Sequence, residues 1–161
     1  LGAALARLGR PAGVHIATKV RYPAESLGDI RAYTRASVAA SLERLGVDRV
    51  SLLQLHNSIT ARRDDEPTSL TPGDVLGPGG VLESFRELQA EGVVRHVGLT
   101  GIGQPAALHE AVASGGFATM QVPYNLLNPS AGHDMPPGFA EASYGNIIGG
   151  CSALRGRDSR H

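Results

Sequence analysis

At 161 residues, with 42% hydrophobic content and 15 basic side chains against 15 acidic ones, the chain holds enough apolar material for one buried core and carries no net charge. That balance excludes a charge-driven grip on nucleic acid or anionic lipid, and no apolar run approaches the roughly 18 residues that a membrane helix needs. The sequence holds one cysteine, Cys151, which rules out an internal disulfide and fits a reducing cytoplasm.

The N-terminal stretch LGAALARLGRP sets Leu1, Ala4, Leu5 and Leu8 on one face at helical spacing, with Gly9 and Pro11 placed to end the element. Arg7 and Arg10 break its apolar character, which disfavours a signal peptide. A helix that opens at Leu1 with no initiator methionine reads as a fragment of a longer chain. VHIATK, residues 14 to 19, is a short β-rich run. Ile30, Tyr33, Val38, Leu42 and Leu45 then mark a helical stripe, with Asp29 as its N-cap and Gly46 as a left-handed C-cap. RVSLLQLH, residues 49 to 56, follows as a nearly continuous apolar strand, the pattern of burial on both faces.

From Asn57 to Gly79 the chain carries Pro67, Pro72 and Pro78 and the charge cluster Arg62, Arg63, Asp64, Asp65 and Glu66. Two readings stand: a solvated, partly disordered insertion, or a substrate loop of the kind that barrel enzymes place after a strand. Val81, Leu82, Phe85 and Leu88 mark the next helix, stopped at Gly92, and VVRHVGLT is the next strand. Pro105 opens a helix bearing Leu108, Ala111 and Val112, which Gly115 and Gly116 close before FATMQ at 117 to 121. Beyond lie turn formers, then ASYGNII as one helical turn or two, and residues 149 to 161 as an irregular tail.

Alternation of strand and helix predicts an α/β class: a partial (β/α)8 barrel over residues 1 to 148, with about four parallel strands and helical crossovers. Each strand ends on a polar residue: Lys19, His56, Thr100 and Gln121. The C-terminal strand ends of a parallel barrel share one rim, so these side chains should converge on one pocket. His15 and His96, inside strands, and His109, on a helix, read as structural. His133 with Asp134 has no metal-ligand spacing and reads as a surface turn, so no metal is expected.

These segments resemble the aldo-keto reductase family. IATKV at 16 to 20, SVAASLERLGVDRVSLLQLHN at 37 to 57, ELQAEGVVRHVGLTG at 87 to 101 and QVPYNLLNPSA at 121 to 131 look like that family's third to sixth strands and their helices, in order. The resemblance implies an eight-stranded barrel that uses NADPH to reduce an aldehyde or ketone, or oxidises a sugar or alcohol in reverse. It implies that Lys19 is the catalytic lysine that lowers the pKa of a tyrosine phenol, and that His56 orients and polarises the substrate carbonyl. Thr100 and Gln121 match the positions that hydrogen-bond the nicotinamide carboxamide, while Gly101 stands where many relatives carry a side-chain amide.

The family's proton-donating tyrosine and its aspartate lie upstream of the lysine, and the 18 residues before Lys19 hold neither. Tyr22, just past the strand, is disfavoured as a substitute because nothing evident constrains it. Arg155, Arg157 and Arg160 read as a basic tail, not a phosphate site. The resulting expectation is a chain with a small-molecule carbonyl substrate and no nucleic-acid or membrane partner, inactive or nearly so alone, and open to self-association through its sheet edges. The alternatives are a non-catalytic reductase-like binding or subunit module and a degenerate gene product.

Overall fold

A computed structural model describes residues 1–9, 13–139 and 142–158. Arg10 and Pro11 of the first helical signal, and residues 159 to 161 of the expected tail with Arg160, lie outside the described residues. Helix α1 (Gly2–Arg7) precedes strand β1 (Ala17–Val20), and a 3-10 turn (Ala24–Gly28) leads into α2 (Ile30–Leu45) and β2 (Val50–Leu55). Then come α3 (Pro72–Leu76), α4 (Val81–Ala90), β3 (Val94–Thr100), α5 (Pro105–Ala113), β4 (Thr119–Gln121) and α6 (Ile147–Asp158). The four strands form one parallel sheet in the order β1-β2-β3-β4. Parallel neighbours require a long return path, which the helices supply.

Local chemistry sets the boundaries of α2. The Asp29 side chain accepts a hydrogen bond from the Ala32 amide at 2.9 Å, satisfying a donor that the first turn leaves open. Gly46 ends the helix at φ 66°, a left-handed conformation that costs glycine nothing. Arg31 and Arg35 of α2 pair with Glu87 and Glu91 at the end of α4. Exposed pairs of this kind contribute little, so apolar burial carries the packing of these helices. Val20, Leu53, Leu55, Val97 and Leu99 point to the helical layer, where they bury with Val38, Phe85 and Leu108.

The opposite pleat carries Ala17, Lys19, Leu52, Gln54, His96, Gly98 and Thr119. Ala17, His96 and Thr119 are exposed there, and no described helix covers them. The sheet therefore has one apolar face under helices and an opposite face, bearing Lys19, Gln54, His96 and Thr119, that no described helix covers.

Two sequence expectations are corrected. The segment from Asn57 to Gly79 is not a solvated insertion: Ile59, Leu70 and Val75 are fully buried in it. Ile59 bridges both Leu70 and Gly103, its amide donates to Ile102 O, and its carbonyl accepts from the Gln104 amide. Gly103 makes this approach possible, because a Cβ there would lie 2.1 Å from Ile59 O. Prolines and charges suggested disorder, yet Thr71, Pro72 and Asp74 form a capping box with proline in the first turn of α3. The tail likewise begins as a helix. Ile147 is fully buried, and the Asn146 and Ile148 amides donate to Ser130 O and Ala131 O. Its apolar periodicity is weak because Gly150 stands where the helix meets α5; a Cβ there would come 3.1 Å from the His109 ring.

Candidate active site

Strand register places the predicted residues. Lys19 pairs with Gln54, Gln54 with Gly98 and Gly98 with Thr119, which makes one row across the sheet. Gly98 suits that row because a Cβ there would meet Thr119 Oγ1 at 2.3 Å. Two residues further along β3 and β4 the register pairs Thr100 with Gln121, while Arg21 and His56 come just past the ends of β1 and β2. The His56 amide extends the ladder by donating to Val20 O at 2.9 Å.

Lys19 and Gln121 sit on the two outer strands, which a flat sheet would hold about 14 Å apart at roughly 4.8 Å per strand. Yet Lys19 Nζ donates to Gln121 Oε1 at 2.7 Å. The sheet must therefore curl toward this face, as in a barrel wall, so that side chains of the outer strands meet over β2 and β3.

The electrostatics are cationic. His56 is held below the ordinary imidazole range, first by loss of water around its ring and then by the charges of Lys19 and Arg21. Thr100 is buried, and its Oγ1 makes no hydrogen bond. A buried hydroxyl without a partner is costly, and this one could hydrogen-bond a ligand's polar group. The neighbouring Gly101 has no room for a side chain, since a Cβ would lie 2.7 Å from Val122 and 2.8 Å from the Met120 sulfur.

Tyr22 does not join the rim. It follows the pleat of Val20 into the core, where its hydroxyl donates to Thr34 Oγ1 at 2.6 Å, Thr34 in turn donating to Ile30 O. Burial pushes its phenol well above the usual range, so it keeps its proton.

Three residues were missed by sequence reasoning. Gln54 is a buried polar side chain two residues before His56, and strand alternation alone could have flagged it. Asn57 is 1% exposed and acts as a latch: the Tyr22 amide donates to its Oδ1 at 2.9 Å, while its Nδ2 donates to Tyr22 O at 2.8 Å and Thr68 O at 2.6 Å. Arg21, the third, carries its guanidinium against Thr68 Oγ1 at 3.1 Å and 3.3 Å. No local pattern announces Asn57 or Thr68, because their partners lie far away in sequence.

Three other histidines make side-chain contacts elsewhere in the chain. His15 lies just before β1, not inside a strand, with Nδ1 3.3 Å from Ser51 Oγ. His109 Nε2 contacts Gly145 O at 2.8 Å, and His133 Nε2 contacts the Tyr124 hydroxyl at 3.1 Å. Among the described residues no helix is long and apolar enough to cross a membrane.

A model of the aldo/keto reductase family matches residues 1–147. The chain belongs to the aldo/keto reductase family. Among curated members it is similar to a D-threo-aldose 1-dehydrogenase of a Pseudomonas species, 34% identical over 115 residues, a match covering 70% of this chain and 31% of that one. Among solved members it resembles the holo form of an aldo-keto reductase from Bacillus halodurans, 29% identical with a TM-score of 0.58, covering 81% of this chain and 38% of the other. An aldo-keto reductase of Bombyx mori in complex with NADP has a TM-score of 0.57 at 18% identity, over 94% of this chain and 43% of that one, and speaks for the fold. The chain thus spans about a third of the length of that curated member, and its sheet is part of an aldo/keto reductase barrel.

Proposed function

We propose that the chain supplies the lysine and histidine side of an NADPH-dependent aldo/keto reductase site, acting on an aldehyde or ketone or, in reverse, on a sugar or alcohol. The observation that carries this is the contact of Lys19 Nζ with Gln121 at 2.7 Å, which gathers Lys19, His56, Thr100 and Gln121 on one curled face. The orphan Thr100 hydroxyl fits a carboxamide such as that of nicotinamide, and the Gln121 amide nitrogen offers a second contact. Bound NADPH would supply the hydride to the carbonyl carbon.

The chain's own residues hold the other end of the carbonyl. His56, kept neutral by dehydration and two nearby cations, donates a ring N–H to the carbonyl oxygen. Lys19 contributes positive charge where negative charge grows on that oxygen. The proton that completes the alcohol needs a donor, and the Tyr22 phenol is locked in the core. On this reading the chain alone is inactive or nearly so.

We place it in the cytoplasm, consistent with its single cysteine. The outer flanks of β1 and β4 are the surfaces through which it would self-associate.

Incubating the purified chain with NADPH and an aromatic aldehyde, while following cofactor fluorescence and absorbance, tests the proposal. Binding with negligible turnover is expected. Turnover matching that of a full-length reductase would refute the inactivity, and absence of cofactor binding would refute the assignment of Thr100 and Gln121.

A further inference from the structure

Arg21 follows the last residue of β1 as His56 follows the last residue of β2, and the Arg21 charge is felt at the His56 ring. Its position is built from several directions. The Tyr33 hydroxyl donates to Arg21 O at 3.2 Å, and the Asn57 latch grips the adjacent Tyr22 from the residue next to His56. Thr68 orients the guanidinium, and Thr68 is itself held at φ 59°, a conformation that costs a β-branched residue energy, with its carbonyl bound by Asn57.

The charge of Arg21 is not spent on the protein. Like several other arginines among the described residues, Arg21 has no ion pair; what sets it apart is that its guanidinium bonds only the neutral Thr68 hydroxyl while its charge is felt at His56. Lys19, the other cation of the rim, is already engaged by Gln121. A guanidinium carries five N–H donors, and Thr68 accepts from only part of the fork. The remaining side matches one planar carboxylate in a bidentate pair.

We propose that Arg21 is a specificity-determining residue that selects carbonyl compounds bearing a carboxylate beside the reacting carbon. The inference rests on the carbonyl-reducing reading above and adds the substrate class to it. A phosphate dianion would call for more cations than one oriented guanidinium.

The test titrates the full chain with phenylglyoxylate and, separately, with its neutral methyl ester, following the His56 ring resonances. Wild type is expected to bind the acid about tenfold more tightly than the ester, on the scale of one charge-assisted pair. Arg21→Gln should erase the preference and Arg21→Lys should keep part of it. Should Arg21→Gln fail to fold, Thr68→Val removes only the orienting hydroxyl and should reduce the preference. Equal binding of acid and ester, a preference that survives Arg21→Gln, or no binding of either compound would each overturn the assignment. NADPH fluorescence on the same samples separates the two readings. Cofactor binding without acid preference removes Arg21 alone, and acid preference without cofactor binding removes the reductase reading alone.

Discussion

Thr100 shows how a single side chain can be poor for stability and useful for binding. Its hydroxyl is buried and unpartnered, so Thr100→Val, nearly the same in shape, should stabilise the chain by ~1 kcal/mol in urea unfolding. The same change should weaken NADPH binding. A stability gain with unchanged cofactor affinity would detach the residue from the site. His56 offers a second residue-scale measurement. Because its folded pKa is lowered, the neutral ring favours folding; that contribution is whole above the ordinary imidazole range and shrinks as pH falls through it. Lys19→Met removes one of the cations responsible, so NMR titration should find the His56 pKa raised in the variant, and an unchanged value would show that dehydration alone sets it.

Elements were legible wherever their ends carry their own chemistry. Asp29 and Gly46 bracket α2 at the residues expected from capping, and Asp29→Ala should cost ~1 kcal/mol in thermal or chemical unfolding. A loss under a few tenths would show that tertiary packing holds the helix start. α3 escaped notice because it is only five residues long and its prolines and charges mimic disorder. Its anchor is Asp74, which accepts from the Thr71 amide and hydroxyl and from Arg63. Arg63 above all holds the Asp74 carboxyl below the usual carboxylate range. Stability from it is therefore present above that range and lost as pH falls through the lowered value. Asp74→Asn should flatten this acid limb of the unfolding curve, and an unaltered limb would assign the acid sensitivity elsewhere. α6 was missed for a different reason: beside the buried Ile147 it meets α5 through Gly150, which a hydrophobic pattern cannot register.

At the scale of the molecule, alternation of strand and helix was enough to read the parallel sheet, and strand endings were enough to name Lys19, His56, Thr100 and Gln121 as candidates on one rim. What the sequence could not carry was curvature. Only the reach of Lys19 across to Gln121 reveals that the outer strands bend over the same face. Nor could it reveal the loop between β2 and α4 as part of the wall, since Ile59, Leu70 and Gly103 come together through backbone contacts. Burial of Phe85 between the sheet and its helices ties these parts together, and Phe85→Ala should cost ~3–5 kcal/mol in chemical unfolding. A smaller loss would mean that the helical layer holds the sheet less tightly than its burial suggests.

The Asn57 latch has one more consequence. The Tyr22 amide proton lies in a bond to the carboxamide that also secures Thr68, so that proton exchanges with solvent only when the latch lets go. Deuterium uptake at this one amide is thus a built-in clock for how often the neighbourhood of Arg21 and His56 breathes, and a ligand that spans the two should slow it.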